Sequence, residues 1–107
     1  MNSREKGARG ERALAKKLRE HGYMEARRGQ QYSGANGDPD VVGLPGIHIE
    51  CKYTERLQLY DAMAQAEHDA REDEIPVVIH KRNHCKWLAI MDLNNFIKLI
   101  KGEADVG

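Results

Sequence analysis

The sequence predicts an α/β fold in a single domain, and three observations predict it. A helical segment with an apolar stripe opens the chain, a strand with period-two alternation lies near its centre, and a second helix separates that strand from two more strands. At 107 residues the chain is long enough for one modest core and leaves little room for a second domain, so residues 1–107 are expected to form one unit.

The elements follow in order. Ser3 to about His21 has helical character: Leu14 and Leu18 are four apart, Ala8 and Ala15 extend their stripe, and Gly22 supplies a C-terminal stop. Tyr23 to Arg28 is expected as a first strand, followed by a glycine-rich loop, GQQYSGANGDP, from Gly29 to Pro39. Asp40, Val41 and Val42 read as the end of a strand, and Leu44, Pro45 and Gly46 as a three-residue hairpin loop. From Ile47 to Tyr53 apolar and polar residues alternate, as in a half-buried strand: Ile47, Ile49, Cys51 and Tyr53 share one face, His48, Glu50 and Lys52 the other. Tyr53 to about Asp73 is a second helix with Leu57, Tyr60, Ala64 and Ala70 as packing residues. Ile75 to Lys81 and Lys86 to Met91 are strands joined around Asn83 and His84; Asp92 then caps a helix through about Lys101, and the tail from Gly102 is expected to fray.

Composition narrows the classes. Two cysteines, with no secretory signal and no apolar run of membrane length, point to a reduced, soluble, cytoplasmic protein without a disulfide. Net charge is zero but unevenly spread: residues 1–30 hold nine Lys or Arg against four Glu, and the rest holds eight against thirteen Asp or Glu. A basic N-terminal helix suits a DNA backbone, although a charge-rich helix also serves as a solvated face.

The stretch GDPDVVGLPGIHIECKY carries the chemistry. If the hairpin loop closes between Gly43 and Ile47, Asp40 lies directly opposite Glu50 with Cβ atoms roughly 5 Å apart, and Lys52 is one same-face step of about 7 Å further. Two carboxylates at that spacing repel by about 3 kcal/mol at an effective dielectric near 20, so a cation is expected between them. A hard, oxygen-seeking ion such as Mg²⁺ fits, with Mn²⁺ as substitute. The competing reading makes Glu50 and Lys52 a solvated strand face and Asp40 part of a turn. Glu11 adds a second anomaly, for it falls on or beside the apolar stripe of the first helix. It either pairs with a neighbouring Arg or Lys or delivers a third carboxylate to the metal face.

G-x-x-G-E-R-x-L-x-x-x-L from Gly7 to Leu18, then PDVVG, IHIECK and a helix bearing Gln65, resembles the PD-(D/E)xK nuclease superfamily, in particular its small Holliday-junction-resolvase-like and phage-encoded endonucleases. The resemblance spans Gly7 to about Leu99. It implies a restriction-endonuclease-like core, αβββαβ, with a mixed central sheet flanked by helices. It also implies Asp40 and Glu50 as metal ligands, completed by the Cys51 backbone carbonyl, with Lys52 as the catalytic lysine and Glu11 as the helix-one carboxylate. Gln65 matches a helix glutamine of several branches. The implied function is Mg²⁺-dependent hydrolysis of DNA phosphodiesters, on branched or duplex substrates, by a phage- or prophage-encoded homodimer. Arg9, Arg12, Arg27, Arg28, Tyr32 and Ser33 are the candidate DNA contacts. A non-catalytic nucleic-acid-binding or assembly module keeping the same fold is the alternative. His48, Cys51, His80, His84 and Cys85 match no zinc module and read as structural or surface residues, while Trp87 and Phe96 read as core.

Overall fold

The computed structural model describes residues 3–30 and 39–102. Among the described residues eight elements follow one another: α1 (Ser3–Glu20), β1 (Arg27–Arg28), β2 (Val41–Val42), β3 (Ile47–Tyr53), α2 (Leu59–Asp69), β4 (Ile75–Lys81), β5 (Leu88–Met91) and α3 (Leu93–Lys101). The strands form one sheet in the order β1-β2-β3-β4-β5. It is mixed: β3 and β4 run parallel, joined by α2 as a crossover, and every other neighbouring pair is antiparallel. This is the α/β, restriction-endonuclease-like αβββαβ core, extended by β5 and α3.

α1 places Glu5 in its first turn and Lys17 and Arg19 in its last, complementing the helix dipole. It stops at Glu20, with Gly22 at φ 101° and the Tyr23 amide bonded back to Leu18 O. The first strand is shorter than its sequence suggests. Residues 23–26 close a turn, Ala26 N donating to Tyr23 O at 3.0 Å, and only Arg27 and Arg28 pair with β2.

The β2–β3 hairpin has the expected register. Val41 pairs with Ile49, and Ile47 N donates to Leu44 O at 3.2 Å across the loop. Gly43 is obligatory here: at φ 97° a Cβ would lie 2.4 Å from the carbonyl oxygen of Glu25.

β3 departs from the half-buried expectation, for both of its faces are covered. Its odd residues meet α1 in a cluster of Leu14, Ala15, Val41, Ile49 and Cys51. Its even residues lie beneath α2, leaving His48 at 0% and Glu50 at 3% exposure. The cause is position: β3 is the middle strand, paired with β4 over its full length, and a crossover helix closes the second face. α2 starts six residues later than expected, at Leu59, because β3 runs through Tyr53 and Thr54 N extends the ladder to Lys81 O. Its buried stripe is Ala62, Met63 and Ala66, packed with Val78 and Leu57; Tyr60 and Ala64 are exposed.

Asp92 caps α3, its side chain accepting from Asn95 N at 3.2 Å. No residue of α3 is buried among the described residues, and Phe96, expected in the core, is half-exposed. Trp87 does pack against the first cluster.

Candidate active site

Asp40 sits where the β2 ladder ends, and its backbone is held from both sides. Its amide donates to Ile49 O at 2.9 Å and its carbonyl accepts from Gly29 N at 2.9 Å. Its Oδ2 accepts from Cys51 N at 2.8 Å, taking up an amide that β2 no longer reaches. In a strand the N–H and C=O of one residue point to the same side, so the Cys51 carbonyl also faces Asp40. The Cys51 thiol does not: it is buried among Leu14 and Ala15, and burial pushes its pKa up to about 12, so it stays protonated.

Val41 pairs with Ile49, and Asp40, just before it, bonds Ile49 O through its own amide and brings its side chain within hydrogen-bonding reach of Glu50. Burial, then the Glu50 charge, raise the Asp40 pKa to about 7; the Cys51 amide opposes them, and the Glu11 charge adds to the rise. A carboxylic acid held near neutrality by burial and an adjacent carboxylate concentrates oxygen donors and negative charge that a cation would favour. The donors are hard oxygens, which fits a small divalent ion.

Two further residues of the same face complete the set. Lys52, one step beyond Glu50, reaches Gln65 Oε1 on α2 at 3.5 Å. A shallow cleft of about 210 Å³ opens beside them, lined by Thr54, Leu57, Gln58 and Ala62 among others. One step before Glu50, His48 places Nε2 3.1 Å from Glu50 Oε1. Burial alone would lower the His48 pKa; the Glu50 hydrogen bond and the charges of Glu50, Glu74 and Asp69 raise it instead. Of the structural or surface roles expected for His48, the surface one is excluded, for the ring is fully buried against Glu50. Its i−2 spacing from Glu50 on one strand face is the signal that places the two side by side.

Glu11 reaches the site from α1. Gly10 allows this approach, since a Cβ there would meet Tyr53 Cβ at 2.8 Å and its ring carbon Cδ2 at 2.9 Å. Glu11 pairs with an arginine, its Oε1 accepting from Arg28 Nε at 2.9 Å, and its charge also contributes to the raised pKa of Asp40. Arg28 thus has a partner inside the protein. Arg9 and Arg12 are exposed on α1, and Arg27 is exposed on β1. Tyr32 and Ser33 lie outside the described residues.

No helix among the described residues is long and apolar enough to cross a membrane. No curated protein and no solved structure matches the chain. A family model does, that of the phage putative PDDEXK endonuclease, and it covers residues 2–106. With Asp40, Glu50 and Lys52 gathered on one hairpin face and the match running nearly end to end, the chain belongs to that phage PDDEXK endonuclease family.

Proposed function

We propose that the protein is a Mg²⁺-dependent DNA endonuclease that works as a homodimer, on branched or duplex DNA, in the cytoplasm of a phage-infected or prophage-bearing cell. The observation that carries this reading is the half-buried Asp40, its side chain beside that of Glu50 and raised to a pKa of about 7 by desolvation and by that neighbour. Such a pair is stable in its ionised form only with a cation beside it.

Asp40, Glu50 and the Cys51 carbonyl would hold the ion, with Mn²⁺ able to replace Mg²⁺. When bound, it would polarise the scissile phosphate and acidify a water. Lys52 supplies a compact positive charge for the oxygen that develops negative charge, and Gln65 fixes the direction of its ammonium group. Arg28 neutralises Glu11 and so limits the negative charge that Asp40 feels. Arg9, Arg12 and Arg27 offer phosphate contacts that position a duplex without reading its sequence. Cutting both strands needs two sites, and the exposed Leu88, Leu93, Phe96 and Ile100 on β5 and α3 provide an apolar face for a second copy.

The test is cleavage of supercoiled, linear and four-way-junction DNA with Mg²⁺, Mn²⁺ or EDTA. Activity should need metal and fall about a hundredfold or more in Asp40→Asn and Lys52→Ala, with folding intact. Unchanged cleavage by both variants would reject the assignment, and binding without cleavage by the wild type would indicate a non-catalytic module.

A further inference from the structure

The assigned chemistry leaves the fully buried imidazole of His48 unused. Its Nε2 faces Glu50 Oε1 at 3.1 Å, while Nδ1 lies 3.6 Å from Glu74 Oε1 and has no hydrogen-bond partner among the described residues. Asp69, at the C-terminal end of α2, brings another carboxylate, which also meets the exposed His68 Nδ1 at 3.1 Å. One ligand-capable atom from each of His48, Glu50 and Asp69 lies within 4.8 Å of the others.

We infer that His48, Glu50 and Asp69 form a second cation position, distinct from the Asp40–Glu50 pair, that takes a divalent transition ion such as Mn²⁺ in preference to Mg²⁺. Three features of the cluster support it. Two donors bound at right angles, each about 2.1 Å from an ion, lie about 3.0 Å apart, close to the separation of His48 Nε2 and Glu50 Oε1. A ligating imidazole usually gives its other N–H to a carboxylate, and Glu74 stands on that side of the ring. Glu50, Asp69 and Glu74 also gather three carboxylates around the buried imidazole, a concentration of negative charge that a bound cation would offset. The nitrogen donor sets the selectivity: imidazole suits transition ions such as Zn²⁺ or Ni²⁺, and Mn²⁺, the weakest binder of that series, accepts it beside carboxylates, whereas Mg²⁺ is held by oxygen ligands and its own waters. Glu50 is shared by both positions, so an ion at His48 would also fix the carboxylate that serves the first.

The inference stands apart from nuclease activity, and so does its test. Mn²⁺ is bound to the untagged full chain, its stoichiometry read by calorimetry and its nitrogen coupling by pulsed EPR. The wild type should bind a second equivalent of Mn²⁺ with a nitrogen-14 coupling that excess Mg²⁺ does not remove. Asp69→Ala, at a partly exposed helix end, should fold and weaken that ion at least tenfold, and His48→Gln should abolish the coupling. Asp40→Asn should keep it while losing the other ion. Absence of nitrogen coupling in the wild type, or its survival at full affinity in Asp69→Ala, overturns the second position even if DNA is cleaved. Coupling without DNA cleavage instead upholds the position and overturns the nuclease reading.

Discussion

The two ends of the sheet treat apolar and charged residues in opposite ways. At the β1–β3 end, charged side chains are buried: Glu11 at 9% and Glu50 at 3% exposure, each with a named partner in Arg28 or His48. At the β5–α3 end, apolar side chains are exposed, Leu93 and Ile100 at two-thirds. α3 has the regular spacing of an amphipathic helix, with Leu93, Phe96, Ile97 and Ile100 on one stripe, yet none of its residues is fully buried and of these four only Ile97 is partly so. α1 is dominated by charge and still seals the core through Leu14 and Ala15. Amphipathic pattern alone therefore does not say what a helix packs on. The first end concentrates electrostatic cost around a site, and the second leaves hydrophobic area for an outside surface.

The contrast can be broken most strongly at Gly43. Gly43→Ala forces a Cβ against the Glu25 carbonyl and the Ala26 amide nitrogen at a positive φ, and all three clashing atoms are backbone. The loss should be on the order of 3 kcal/mol in urea unfolding. Because Gly43 sets the hairpin loop, surviving protein should also bind metal poorly.

Arg28→Ala is the next test. It leaves the Glu11 carboxylate buried and unpaired, but the Arg28 side chain is 43% exposed, so the cost is about 1 kcal/mol. Adding Glu11→Gln should restore most of that stability, and no rescue would show that Arg28 acts elsewhere.

A pH series isolates Asp40. Its pKa rises on folding from 3.8 to about 7, so the native state holds the proton to higher pH than the unfolded chain does. Its stabilising contribution is complete below about pH 4 and is lost as pH climbs towards 7. In EDTA, wild-type melting temperature should therefore fall relative to Asp40→Asn over that window. Added Mg²⁺ should reverse the trend in the wild type alone, because it favours the ionised pair.

The smallest effect on the monomer is expected at the opposite end. Ile100→Glu should change unfolding free energy by no more than about 0.5 kcal/mol, since the residue is 68% exposed. Sedimentation should show loss of self-association in the same variant. A large drop in monomer stability would mean that α3 is integrated into the core, and the contrast would fail.

Much of this was legible locally. The hairpin register, the Asp92 cap and the Ile75–Lys81 strand all follow from short-range chemistry: loop length, a side-chain oxygen reaching a nearby amide, and an apolar β-branched run. The buried stripe of α2 was not legible, because Tyr60 and Ala64 fit a helical period as well as Ala62 and Ala66 do. Only the sheet beneath selects the phase.

By itself the sequence determined that Asp40, Glu50 and Lys52 share one face, since strand alternation and loop length act over a few residues. The tertiary structure decided what that face meets. By pairing β3 with β4 and laying α2 across it, the fold buries Glu50 with His48, brings Asp69 and Glu74 around the imidazole, and turns Arg28 inward to Glu11. Those contacts join residues distant in the chain, and burial makes their charges matter, because only away from water do neighbouring charges interact strongly enough to shift one another.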